Sequence, residues 1–139
     1  MSEIAQALAW ITATSRADSA LMAAAVGGTW EQSADFGTAA PYELIVHQAG
    51  TDVLTMNAKR LFDHLLFQIK MVGPTAQYAA LVTGADRIDA LFGDVRNRSL
   101  SPGYVLSSYR EQPFTYGDIV NGAQWSHLGG IYHISLQGS

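Results

Sequence analysis

No cysteine occurs anywhere in the 139 residues. That removes disulfide frames, thiolate nucleophiles and cysteine-based zinc sites together, and it fits a reducing cytoplasm. Charge is scarce as well. Charged residues make up 14% of the chain, against ~25% in a typical soluble domain. Lys59 and Lys70 are the only lysines, and they form no dense run with the six arginines. With a net charge of −4 and a pI near 5.4, the electrostatic footprint of a nucleic-acid binder is missing, and no sequence-specific nucleic-acid partner is expected. No window approaches the ~18 uninterrupted apolar residues of a membrane span. The start Met1–Gln6 lacks the positive n-region of a signal peptide. These absences predict a soluble protein made in the cytoplasm, with no membrane partner.

The usual signatures of chemistry are missing too. There is no Gly-x-Gly-x-x-Gly and no Gly-x-x-x-x-Gly-Lys-Ser/Thr phosphate loop. Gly27-Gly28-Thr29 closes a helix rather than opening one, the wrong polarity for an anion. No Gly-x-Ser-x-Gly elbow positions a nucleophile. Asp63 and His64 are adjacent, so in a strand they point to opposite faces. His127 and His133 would sit about 20 Å apart at ~3.3 Å per residue, too far to share an ion. The four histidines read as ordinary half-exposed strand residues, although a cluster across strands stays open. Asp86 and Asp89, three apart on a helix, read as a solvated face. No catalytic residue, cofactor or metal is expected, and the chain is not read as an enzyme.

What is present is apolar: 48% hydrophobic residues, with three tryptophans, six tyrosines and five phenylalanines. At this length one domain spanning residues 1–139 buries enough surface for a core without staples. With so few ionic groups to cover the exterior, part of it is expected to lie against a partner subunit.

Periodicity gives the elements. Ile4, Leu8 and Ile11 recur at helical spacing, so residues 2–26 read as helix in two pieces, with Asp18 capping the second and Gly27-Gly28 stopping it. Residues 29–41 read as a short edge strand and a loop. Pro41 leads a strand Tyr42–Gln48, and Gly50–Lys59 reads as a loop. The clearest strand is Arg60–Val72, with Leu65, Phe67, Ile69 and Met71 on one side and Leu66, Gln68 and Lys70 on the other. Thr75 is placed to cap a helix over residues 75–92, whose stripe is Tyr78, Leu81, Ala85, Ile88 and Phe92. Gly84 either weakens that helix or lets it sit close on a sheet. Asp94–Pro102 reads as a polar loop and Tyr104–Gln112 as a strand broken by Pro113. Phe114–Gly122 is a turn-rich excursion, and Gln124–Gln137 a last strand in which Gly129-Gly130 marks a bulge or bend. The expected fold is α+β: an antiparallel or mixed sheet of four to five strands, two main helices on one face, in the order α-β-β-α-β-β. Phe114 and Tyr116, placed on a loop, fit interface anchors.

The pattern resembles the small tail-terminator and tail-completion proteins of long-tailed bacteriophages. The likeness is carried by the Ala/Leu-rich first helix ending in Val26-Gly27-Gly28 and by the strands Pro-Tyr-Glu-Leu-Ile-Val (41–46) and Leu-Leu-Phe-Gln-Ile-Lys-Met-Val-Gly (65–73). The helix Thr75–Gly93 and the closing strand Gly-Gly-Ile-Tyr-His-Ile-Ser-Leu (129–136) complete it. It covers nearly the whole chain, while Leu100–Trp125 departs from it. The resemblance implies a non-enzymatic virion protein of the tail or neck that forms a homo-oligomeric ring, a hexamer in that family. Such a ring caps the head-proximal end of the tail tube, ends tube polymerisation and joins the head connector or stopper protein, with DNA passing through its lumen. Contacts with tube or neighbour are expected at the loops Gly50–Arg60 and Pro113–Asn121, through Thr55, Met56, Asn57, Lys59, Arg60, Phe114 and Tyr116. Another neck or tail-completion ring protein, or a small-ligand-binding α+β domain, are the alternatives.

Overall fold

A computed structural model of the chain describes residues 3–35, 37–54, 60–100 and 103–137. The elements run α1 (Glu3–Ala17), α2 (Ser19–Ala24), β1 (Thr29–Glu31), β2 (Tyr42–Leu54), β3 (Arg60–Pro74), a 3₁₀ turn (Thr75–Gln77), α3 (Tyr78–Phe92), β4 (Asp94–Ser99), β5 (Tyr104–Val120) and β6 (Ala123–Gln137). The strands form one curled sheet in the order β1-β2-β3-β6-β5-β4. Its β1–β2 pair is parallel and the others antiparallel.

This corrects the expected count of four to five strands, the two main helices and the α-β-β-α-β-β order. Three segments account for the strands. Asp94–Ser99, where the sequence predicts a loop, is β4. Only Val95 in it is buried, because an edge strand facing water carries almost no apolar signal. Tyr104–Val120 is one strand where Pro113 was expected to break it. β4 pairs with β5 only as far as Tyr109, so beyond that residue the outer side of β5 has, among the described residues, no ladder for a proline to interrupt. Gly50–Leu54, part of the loop that the sequence predicts over Gly50–Lys59, continues β2 against β3 down to Leu54↔Arg60. The third α-helix is the second N-terminal piece, split off at Asp18 as the sequence predicts; only the summary count of two main helices leaves it out. The Asp18 carboxylate accepts from the Leu21 N–H at 2.8 Å and from the Arg87 guanidinium of α3. Those hydrogen bonds, Arg87 first, hold its carboxyl below the usual range.

One face of the sheet carries the core. Leu65, Phe67, Ile69 and Met71 of β3 and Tyr132, Ile134 and Leu136 of β6 are buried, together with Trp10, Ile11, Leu81, Ile88 and Phe92 of the helices. Trp10 meets the Phe92 ring edge-on at 5.3 Å. A Cβ on Gly84 would stand 2.6 Å from Met71 Cγ, so the absent side chain lets α3 lie close on β3. Tyr78, expected in the apolar stripe of α3, is instead 49% exposed. Thr75 does not cap that helix; its hydroxyl is 2.7 Å from that of Ser126.

Glu43, fully buried in β2, accepts from the hydroxyls of Ser15 in α1 at 2.9 Å and Thr29 in β1 at 2.8 Å. Burial pushes its carboxyl up to about 7, against the lowering effect of those two hydrogen bonds and Arg16.

Gly129-Gly130 marks no bulge in β6, whose register with β3 is unbroken. Close approach explains Gly129: a Cβ there would come within 2.2 Å of the Ile69 carbonyl oxygen and 2.5 Å of Lys70 Cα. Neither backbone atom can swing aside, so Gly129→Ala is expected to cost about 1–3 kcal/mol as an overpacked site. A urea midpoint equal to that of the parent protein would refute this.

Candidate functional site

The most distinctive surface feature follows from the length of β5 and β6. From Arg110 onward β5 is held by β6 alone among the described residues, and the two run on to a tight turn between Val120 and Ala123. Asn121 and Gly122 have φ of 51° and 80°, the paired positive values of a type I′ hairpin turn. The result is an arm: a free sheet edge along the outer part of β5, whose hairpin tip alone, past the Pro74↔Trp125 pair, extends beyond β3. Ile119 at its end is 71% exposed and Val120 is 39% exposed, and its outer backbone edge is open, a ready template for another strand.

At the base of the arm, on the sheet face opposite the helices, lies an aromatic stack over a buried cation. Lys70 is 5% exposed. Its ammonium stands 5.2 Å from the centre of the Tyr116 ring and 5.7 Å from that of Phe114. It donates to the Tyr116 hydroxyl and to Gln68 Oε1, both at 3.3 Å. Tyr116 stacks on His127, its register partner on β6, at 4.1 Å, and Phe114 lies nearly parallel to Tyr116 at 6.1 Å. No carboxylate pairs with Lys70 among the described residues, so ring faces and neutral oxygens replace the water it has lost. Beside the stack, a recess of about 450 Å³ is lined by Tyr42, Val72, Asp118, Val120, Trp125 and His127, among others.

A second polar group lies on the same sheet face. His64 Nε2 and His133 Nδ1 are 2.6 Å apart, and His133 Nε2 is 3.1 Å from Glu111 Oε1. No group of three or more His, Asp or Glu side chains arranged to hold a metal ion exists among the described residues.

Of the residues singled out from the sequence, Phe114 and Tyr116 lie on a strand rather than a loop, with their rings over Lys70. Arg60 opens β3 opposite Leu54. Thr55, Met56, Asn57 and Lys59 lie outside the described residues. The sequence reading missed the arm, although Asn121-Gly122 between two β-rich runs was its signal. A histidine cluster across strands was left open, and strand register supplies it by bringing His64 and His133 together.

No protein-family model and no curated protein matches this chain. A solved structure is similar to it. That structure is a chain from the virion of a native gene transfer agent (GTA) particle, with a TM-score of 0.68 and 16% identity over 92% of each chain. At that identity the likeness is one of fold. A second solved chain aligns over 93% of this one at a TM-score of 0.49 and 15% identity, too low to carry an argument.

The His127 environment sets a pH dependence. Burial, and then the Lys70 charge, press its imidazole from 6.5 to about 4, with Asp118 acting weakly the other way. A ring that stays neutral in the fold but charges in the unfolded chain favours unfolding as pH drops from about 6.5 towards 4. Glu43 acts with the opposite sign, stabilising the fold below its unfolded value and losing that contribution as pH rises through about 7. Comparing parent and variant isolates the histidine. His127→Gln is expected to flatten the loss of stability between about pH 6.5 and 4 in urea titrations. Parallel curves for the two proteins would contradict the assignment.

Proposed function

We propose that this chain is a structural, non-enzymatic subunit of a phage-type virion that works by self-assembly. The observation that carries the reading is the fold shared over 92% of both chains with a component of a gene transfer agent virion. The finer part of the proposal is a ring at the head-proximal end of a tail tube, a hexamer by resemblance to tail terminators. That ring ends tube growth, joins the head connector and leaves its lumen open to DNA. Its location would be the tail or neck of the particle.

The surface chemistry suits that role. With charged residues at 14%, ionic groups cover little of the exterior, and burial between subunits removes apolar area at low desolvation cost. A closed ring needs two different faces on each subunit, one meeting the other on the next copy. The arm, with its open edge and exposed Ile119 and Val120, fits one such face, engaging a neighbour or tube protein by strand addition.

Light scattering on the purified chain, alone and with tube protein, tests this. A ring-sized species is expected in at least one condition, and Ile119→Asp is expected to weaken its formation by about tenfold or more, as loss of an apolar anchor does, without lowering the melting temperature. A monomer indifferent to tube protein would overturn the ring. Absence of the chain from purified particles would overturn the virion role.

A further inference from the structure

The open face of the sheet holds a hydrogen-bonded chain of four side chains that the assembly reading does not use. Ser135 Oγ is 2.8 Å from His64 Nδ1, His64 Nε2 is 2.6 Å from His133 Nδ1, and His133 Nε2 is 3.1 Å from Glu111 Oε1. Tyr109 lies flat on the His133 ring, 4.9 Å away and 4° from parallel. Strand register builds the group. Ser135 is the direct partner of His64, and His133 stands two residues along β6. The β5 register steps between Arg110 and Gln112, so Glu111 is the extra residue of a bulge. Such a bulge re-aims a side chain, here onto His133. The site lies just past Tyr109, where β5 leaves β4 and the arm begins.

We infer that Ser135, His64, His133 and Glu111 form a proton store at the root of the arm, which takes up one proton without losing a hydrogen bond and is split by a second. The bonding rules force this. With both rings neutral and Glu111 ionised, His133 must donate from Nε2, which leaves its Nδ1 bare. His64 must then donate from Nε2, and the Ser135 hydroxyl donates to His64 Nδ1. Adding one proton reverses the chain. His133 then carries both protons, donating to Glu111 from Nε2 and to His64 from Nδ1. His64 accepts at Nε2 and donates from Nδ1 to Ser135, whose oxygen becomes the acceptor. Every contact survives, and the positive charge sits beside the Glu111 carboxylate. A second proton leaves two N–H groups facing one another across 2.6 Å, with no lone pair between them. The two cations repel, and His133 on β6 parts from His64 on β3.

The surroundings support single occupancy. Glu111 is the carboxylate that faces the pair from β5, and β2 presents the uncharged Thr51 opposite His64. Asp63 lies on the other face of β3. Arg110 turns away to Asp89, 3.4 Å from it. Burial, then the His133 charge, hold His64 below the ordinary imidazole range.

Imidazole nitrogen shifts and amide exchange on the full chain test the store. Between about pH 8 and 5 the two rings together are expected to take up one proton, since an unperturbed imidazole titrates near 6.5. Further acidification is expected to speed exchange at the amides of residues 64–66 and 133–135, on either side of the β3–β6 seam, by about tenfold, the factor that one unit of pKa represents, relative to those of Ile69 and Met71. His64→Gln removes the second cation and is expected to abolish that acceleration. Glu111→Gln removes the stabilising anion and is expected to move the first uptake to lower pH. Two independent titrations near the ordinary value with unchanged exchange would overturn the inference. So would a Glu111→Gln protein that titrates like the parent, a readout that stands even where His64→Gln does not fold.

Discussion

The unbroken pairing of β3 with β6, from Asp63↔Leu136 to Pro74↔Trp125, is the constraint on which the rest of the molecule depends. A side-chain period of two means that a slip of one residue would turn every inward group outward. This register sets Leu65 against Ile134 and Phe67 against Tyr132 on the helix side. On the opposite side it sets His64 against Ser135 and Lys70 against Gly129. The missing side chain at Gly129 lets the two backbones close up beneath Lys70. The core and both polar clusters therefore rest on one choice of alignment.

Much of the fold was legible because its central elements put apolar side chains on one face and mixed ones on the other. The alternation in Arg60–Val72, the helical stripe from Leu81 to Phe92, the Asp18 cap and the edge strand at Thr29–Glu31 could all be read from local spacing. What failed was at the margins. β4 has one buried residue to announce it, Pro113 reads as a strand breaker until the neighbouring edge is known to be empty, and the continuation of β2 past Gly50 depends on the partner strand. The candidate site was less legible still. Phe114 and Tyr116 stood out as aromatics, but their association with Lys70 and His127, like that of His64 with His133, exists only across strands. Local spacing does not encode such contacts.

The two polar clusters solve the same problem differently. Lys70 is a buried cation accommodated by ring faces and neutral oxygens, with no ionised partner among the described residues. The histidine pair is accommodated by a carboxylate that a bulge brings into reach. Both lie along the strands that carry the arm, so the electrostatics of this face and the placement of the arm are set together. Glu43, on the other face, does comparable work for the edge, tying α1 and β1 to β2 through two hydroxyls.

Between Arg110 and Gln124 the chain supplies none of the large, fully buried side chains. The arm is thus a tenant of the sheet and not one of its supports. Natural variation can reshape what this subunit touches by rewriting that one segment, leaving the instructions for folding intact elsewhere in the chain.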